Sequence, residues 1–250
     1  MINALIYTFQ SYIEGLKYFF NRKIIFYIFL ILLIGGITAF YTFTLVWNES
    51  DSLLKMIIGN IDWISDRGYL STAFEWIIKI FGSAFILILY RYFFYIICSP
   101  ILSLISEEIE RLFYLSKGII APKNELPLIS SFWRSLRMNG RNLFIELSIT
   151  VILFLLSIIP IVGFIFAAIS SMVSAYFIGV SNFDISVERY YKFDTSLIWY
   201  SMHRFDALFQ GIVYMIIFWI PVIGWMAMPI ISTMTTTIHF CKLFEASKTS

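Results

Sequence analysis

Charge is scarce in this chain, so the places where it gathers carry information. Asn21-Arg22-Lys23 lies directly before a long apolar run. Two cations beside the open N–H groups of a helix start suit a divalent oxyanion, since both supply donors to one point. The same pair serves equally well as a flank that only orients the following span. Glu107, Glu108 and Arg111 form a second cluster. Glu107 and Arg111 are four apart on a helix, so they either line a pathway or close a surface ion pair. Glu146 lies early in an apolar arm, where interfacial placement is expected over burial. Asn182 and Asp184 suit a cap or turn. His203 and His239 are remote from one another and lack ligand spacing, so no metal site is expected.

Other chemistry has no foothold in the sequence. It contains no phosphate-cradling glycine loop and no nucleophile elbow, so neither an ATPase, nor any other enzyme, nor a cofactor is expected. The net charge of +2, with no long basic run, gives no reason to expect nucleic acid as a partner. Cys98 and Cys241 have neither metal nor redox spacing and read as buried small hydrophobes.

The elements that must position these residues belong to a membrane protein. The 250 residues are 60% hydrophobic and 14% charged, whereas about a quarter charged is usual for a soluble surface. Residues 1–23 repeat Leu5, Phe9, Ile13, Leu16 and Phe20 at helical spacing, which predicts an amphipathic interfacial helix. Spans are predicted at 24–47, with Gly35-Gly36 suited to close packing, and at 74–98. Ser99-Pro100 predicts a new helix start. It opens an amphipathic and polar cytoplasmic segment, 99–142. No cleavable leader is expected, because the first strongly apolar run is long enough to span.

Two copies of one pattern organise the second half. Ile159-Pro160-Ile161-Val162-Gly163-Phe164 and Ile220-Pro221-Val222-Ile223-Gly224-Trp225 each sit between apolar arms. Proline stops a helix and glycine permits a tight turn, so Pro160, Gly163, Pro221 and Gly224 mark the tips of helical hairpins. The tips carry no charge, which predicts that they stop within the hydrocarbon. The first hairpin covers 143–180, a polar linker 181–206, the second hairpin 207–240 and a tail 241–250. Ala167, Ser171, Ala175 and Gly179 make a row of small residues for close helix contact. The hydroxyls of Ser232, Thr233, Thr235, Thr236 and Thr237 are expected to bond back along their helix or across to a neighbour. Lysine and arginine bias places both termini and both polar segments in the cytoplasm. The fold class is an all-α integral membrane protein: two long transmembrane helices, two re-entrant hairpins and interfacial helices.

Several stretches resemble the CysZ family of bacterial inner-membrane sulfate transporters, related to the eukaryotic etoposide-induced membrane proteins. They are Ser99-Pro100-Ile101-Leu102-Ser103-Leu104-Ile105-Ser106-Glu107-Glu108-Ile109-Glu110, the Ile159-Pro160 tip, Asn182-Phe183-Asp184, and Pro221 followed by Met228-Pro229. The resemblance covers nearly the whole chain. It implies sulfate uptake for cysteine synthesis, no ATP hydrolysis, assembly into homo-oligomers in the lipid bilayer, and an anion contact before the first long helix. That contact corresponds to Asn21, Arg22 and Lys23. The family's glycine there is replaced by Phe20-Asn21, and its nearby proline by Tyr27-Ile28. A non-transporting membrane scaffold or stress-associated protein of the same fold is the alternative.

Overall fold

The breaks in this chain fall where backbone chemistry is least helical. The computed structural model describes residues 2–58, 68–122, 127–157, 163–218, 220 and 223–249. Among them are eight helices and no strand. They are α1 (Ile2–Tyr18), α2 (Arg22–Ile58), α3 (Gly68–Ser116), α4 (Leu128–Ser157), α5 (Gly163–Val187), α6 (Phe193–Met202), α7 (Arg204–Phe218) and α8 (Ile223–Thr249). The tip residues Pro160 and Pro221 lie outside the described residues.

The chain divides into two units, one of residues 1–32 and 95–250, the other of residues 33–94. In the smaller unit a Cβ added at Gly35 would lie 2.9 Å from the Phe94 ring, so glycine admits the aromatic edge. Arg91 is buried there, with its guanidinium 4.6 Å from the Tyr92 ring centre.

In the larger unit α1 and α2 meet at 99°. Asn21 makes this corner. Its side-chain oxygen accepts from the Lys23 N–H at 3.0 Å, capping α2. The Asn21 side-chain oxygen is thus committed to the backbone. Leu5, Phe9, Ile13 and Leu16 of α1, and Phe20 just beyond it, are exposed, while Ala4, Thr8, Ser11, Tyr12 and Gly15 face inward. The small, polar face packs on α8, where Gly15 meets Thr235. Apolar outside and hydroxyl inside is the arrangement a lipid solvent favours.

The helix start expected at Ser99-Pro100 is absent. α3 runs unbroken through Pro100. Proline removes the donor that would reach the carbonyl of Ile96, four residues back. The Ser99 hydroxyl bonds that carbonyl instead, at 2.8 Å. The lost bond is replaced locally and the helix continues.

α4 with α5, and α7 with α8, form the two helical hairpins, and α5 crosses α7. A Cβ built on Gly179 would overlap the carbonyl of Ala207, and one on Gly211 would overlap the carbonyl of Ala175. Of the predicted small-residue row, Ala175 and Gly179 make this contact; Ala167 and Ser171 are exposed. The glycines near the tips serve close approach too: a Cβ at Gly163 would strike the Ser157 carbonyl, and one at Gly224 those of Ile217 and Phe218.

α8 lies against this crossing with Ser232, Thr233, Thr235, Thr236 and Thr237 fully buried. Thr233 and Thr237 bond back along the helix, to Pro229 and Thr233 carbonyls at 2.8 and 2.7 Å. Thr237 also meets Ser106 of α3 at 2.8 Å and Ser186 of α5 at 2.9 Å.

Gly179→Ala and Gly211→Ala are each expected to cost about 2 kcal/mol, because the backbones must separate. A lowered thermal midpoint in detergent measures this. Gly140→Ala adds a Cβ with nothing within 4 Å, and should leave stability unchanged or raise it by about 0.5–1 kcal/mol.

Candidate functional site

Beside the α1–α2 corner lies an open cavity of about 470 Å³. α2 contributes Lys23 and Tyr27, α3 contributes Leu104, Glu107, Glu108, Glu110 and Arg111, and Arg189 follows α5. Residues 120–122 form part of the rim. Three cations and three carboxylates thus share its walls.

Glu108 is the focus. Arg111 donates to both of its oxygens, Nε at 3.0 Å and Nη2 at 2.6 Å. Lys23 Nζ stands 3.5 Å from the same carboxylate. The Glu108 side chain is 9% exposed, against 64% for Lys23 and 48% for Arg111. The carboxylate is sunk while both cations stay open to dissolved ions. Of the two roles open to Glu107 and Arg111, Arg111 pairs with Glu108, three residues away, and Glu107 lines the cavity beside them. Arg22 is exposed and is not part of the cavity wall.

Behind this site is a buried pair that the sequence did not single out. Arg189 donates to Glu110 at 2.7 Å and to Ser106 at 2.9 Å. The Tyr190 hydroxyl donates to Glu110 as well. Arg189 also borders a second cavity of about 370 Å³, shared with Arg134, Glu188 and Lys192. Arg189 is thus a common wall of the two. Glu188, buried and bonded by the Ser103 hydroxyl at 2.9 Å, is pushed up to about 7 by its burial and by Asp184. The charged run Glu188-Arg189 at the end of an apolar arm was the available signal.

Other polar residues anchor the surroundings. Asn182 and Asp184 are not in a turn; α5 continues to Val187 and buries both. Asn182 accepts from the Tyr95 hydroxyl at 2.6 Å. Asp184 accepts from Arg134 at 2.8 Å and Tyr200 at 2.7 Å. Glu146 is fully buried rather than interfacial, and accepts from Ser174 at 2.7 Å across the first hairpin. Asp206 gathers the two histidines, accepting from His239 at 2.9 Å and standing 3.3 Å from His203. Burial works against its charge, but the hydrogen bonds from the histidines outweigh it and hold the carboxyl below the usual range. No group of three His, Cys, Asp or Glu among the described residues is placed to hold a metal.

Three stretches are long and apolar enough to cross a membrane: Arg91–Ser116, Leu128–Ser157 and Gly163–Val187, or four with the bent α1–α2 pair. Together with the inward hydroxyls, they define a membrane protein, and the charged cavity lies among its helices. The profile of the family described as sulfate transporter CysZ/etoposide-induced protein 2.4 matches residues 11–229, and the chain belongs to that family. Every residue of the cavity falls within the matched range. No curated protein matches the chain.

Because Glu188 holds its proton to higher pH folded than unfolded, it stabilises the fold fully below about pH 4.5 and loses that contribution as pH rises through about 7. The span corresponds to roughly 3 kcal/mol. Glu188→Gln should flatten stability across this window, as followed by unfolding in detergent at a series of pH values. Arg189→Met leaves Glu110 buried without its cation and is expected to cost about 3–5 kcal/mol, measured by the same unfolding.

Proposed function

We propose that this protein is an anion permease or channel of the bacterial inner membrane, with sulfate as its first substrate and cysteine synthesis as the use of that sulfate. One observation carries the reading: Lys23 and Arg111, from different helices, converge on one point in an open cavity. Two exposed cations so placed can gather a dissolved oxyanion, and tyrosine and backbone donors nearby can share its charge. Family membership supports sulfate over other oxyanions.

The membrane placement belongs to the same proposal. α7 has 15 residues, about 22 Å of rise against roughly 30 Å of hydrocarbon. In α4 the cations Arg134, Arg137 and Arg141 precede the apolar part, which leaves a similar length for insertion. On this reading both hairpins enter from the cytoplasmic side and turn back within the lipid, α1 lies in the interface, and both termini are cytoplasmic. The exposed apolar faces of α4 and α5 are covered by lipid and by further copies of the chain.

Sulfate flux into liposomes holding purified protein tests the proposal. Lys23→Ala and Arg111→Ala should each lower flux by about tenfold, the loss of one charge-assisted contact. Monodisperse elution shows that the variants are folded. Folded wild-type protein giving no more flux than empty liposomes overturns the reading and favours a scaffold.

A further inference from the structure

A third cavity, of about 630 Å³, lies away from the charged site, between the first hairpin and the α6–α7 corner. Its walls change character along their length. Ile169, Met172 and Val173 of α5 and Ile149 of α4 form one end. Tyr176, Ser201 and Arg204 form the other. The register is fixed by the Glu146–Ser174 bond between α4 and α5 and by the glycine contacts between α5 and α7. From Ile169 to Tyr176 the rise is about 10 Å, and Arg204 stands further on. The lining is therefore apolar toward the hairpin tip, while its base sets the Tyr176 and Ser201 hydroxyls and the Arg204 cation beside Phe177, Phe205 and Leu208.

The base is positive on more than one account. Arg141 is not in the groove wall and donates to Asn142 at 3.2 Å, but its charge, like that of Arg204, acts on the Tyr176 hydroxyl. Arg204 is exposed, with Phe205 beneath its guanidinium at 5.3 Å. The nearest carboxylate in sequence, Asp206, is already engaged by His203 and His239.

We propose that this groove binds an anionic phospholipid, its phosphate held by Arg204, Arg141 and the Tyr176 hydroxyl and one acyl chain lying along Met172 and Ile169. Charge complementarity selects the head, and the length of apolar wall selects the tail. A free phosphate would leave the Ile169 end uncovered. An apolar helix from a second copy would leave the two arginines unanswered. The site is independent of the transport proposal, since none of its residues lines the charged cavity.

Native mass spectrometry of the whole protein in detergent, with equimolar phosphatidylglycerol and phosphatidylcholine of matched chains, tests it. Wild type should retain phosphatidylglycerol in preference by at least fivefold. Arg141→Ala with Arg204→Ala should abolish that preference, at about fivefold for each cation, while Arg204→Lys should keep most of it. Met172→Ser with Ile169→Ser should weaken retention of both lipids. Equal retention by wild type overturns the proposal. So does displacement of the lipid by millimolar inorganic phosphate, which would mark a free-anion site. A change in subunit number in the double arginine variant, with lipid retention intact, also overturns it in favour of a contact between copies. Sulfate flux is a separate readout, so failure of either proposal leaves the other standing.

Discussion

Where α5 crosses α7 the two backbones touch, and neither point of contact has room for a side chain. The contact is reciprocal: Gly179 lies on Ala207 and Gly211 lies on Ala175. In lipid, apolar burial gives helices little reason to associate, so close backbone approach and interhelical hydrogen bonds must do it. This crossing sets the relation of the two hairpins. It carries the end of α5, with Glu188 and Arg189 just beyond it, to the side of α3. It also sets Asp206, next to Ala207, against His239 of α8. Both the charged cavity and the lipid groove inherit their geometry from it.

Around the crossing the interior is rich in buried polar groups. Ser106, Ser186 and Thr237 join three helices through their hydroxyls. Arg134 and Tyr200 meet on Asp184, and Arg189, Ser106 and Glu110 share one buried network. Each bond is modest, about 1 kcal/mol in comparable proteins. The asymmetry matters more, because removing one member leaves the others buried without partners. The polar interior specifies which helix faces meet, while the exposed side chains of α4, such as Phe144, Ile152 and Leu155, suit lipid.

The parts of this arrangement that depend on neighbours in sequence were legible. Apolar runs and the paired proline–glycine patterns predict helix ends, and the helices stop at Ser157 and Phe218 and resume at Gly163 and Ile223. Lys23, Glu108 and Arg111 stood out because charge is scarce along the chain and gathers at these places. Ser99-Pro100 misled, since a local rule for helix starts takes no account of a serine that repairs the missing bond from within. Glu110 with Arg189 escaped notice because the partners are 79 positions apart and meet only through the topology. Glu146 read as interfacial and Asn182 as a cap or turn for want of visible partners; Ser174 and Tyr95 supply them across the fold. Gly211 had a signal, Ala207 four residues before it, matching the small-residue spacing on α5.

Glu108 has a consequence for any ion that enters. Its carboxylate already occupies the place between Lys23 and Arg111, so the site is never a vacant trap. On the proposed function, an incoming oxyanion would have to exchange with a resident carboxylate that is tethered and returns when the visitor leaves. The affinity of such a site is a difference between two similar attractions. Under that proposal, short dwell times would follow, as a route for passage rather than storage requires.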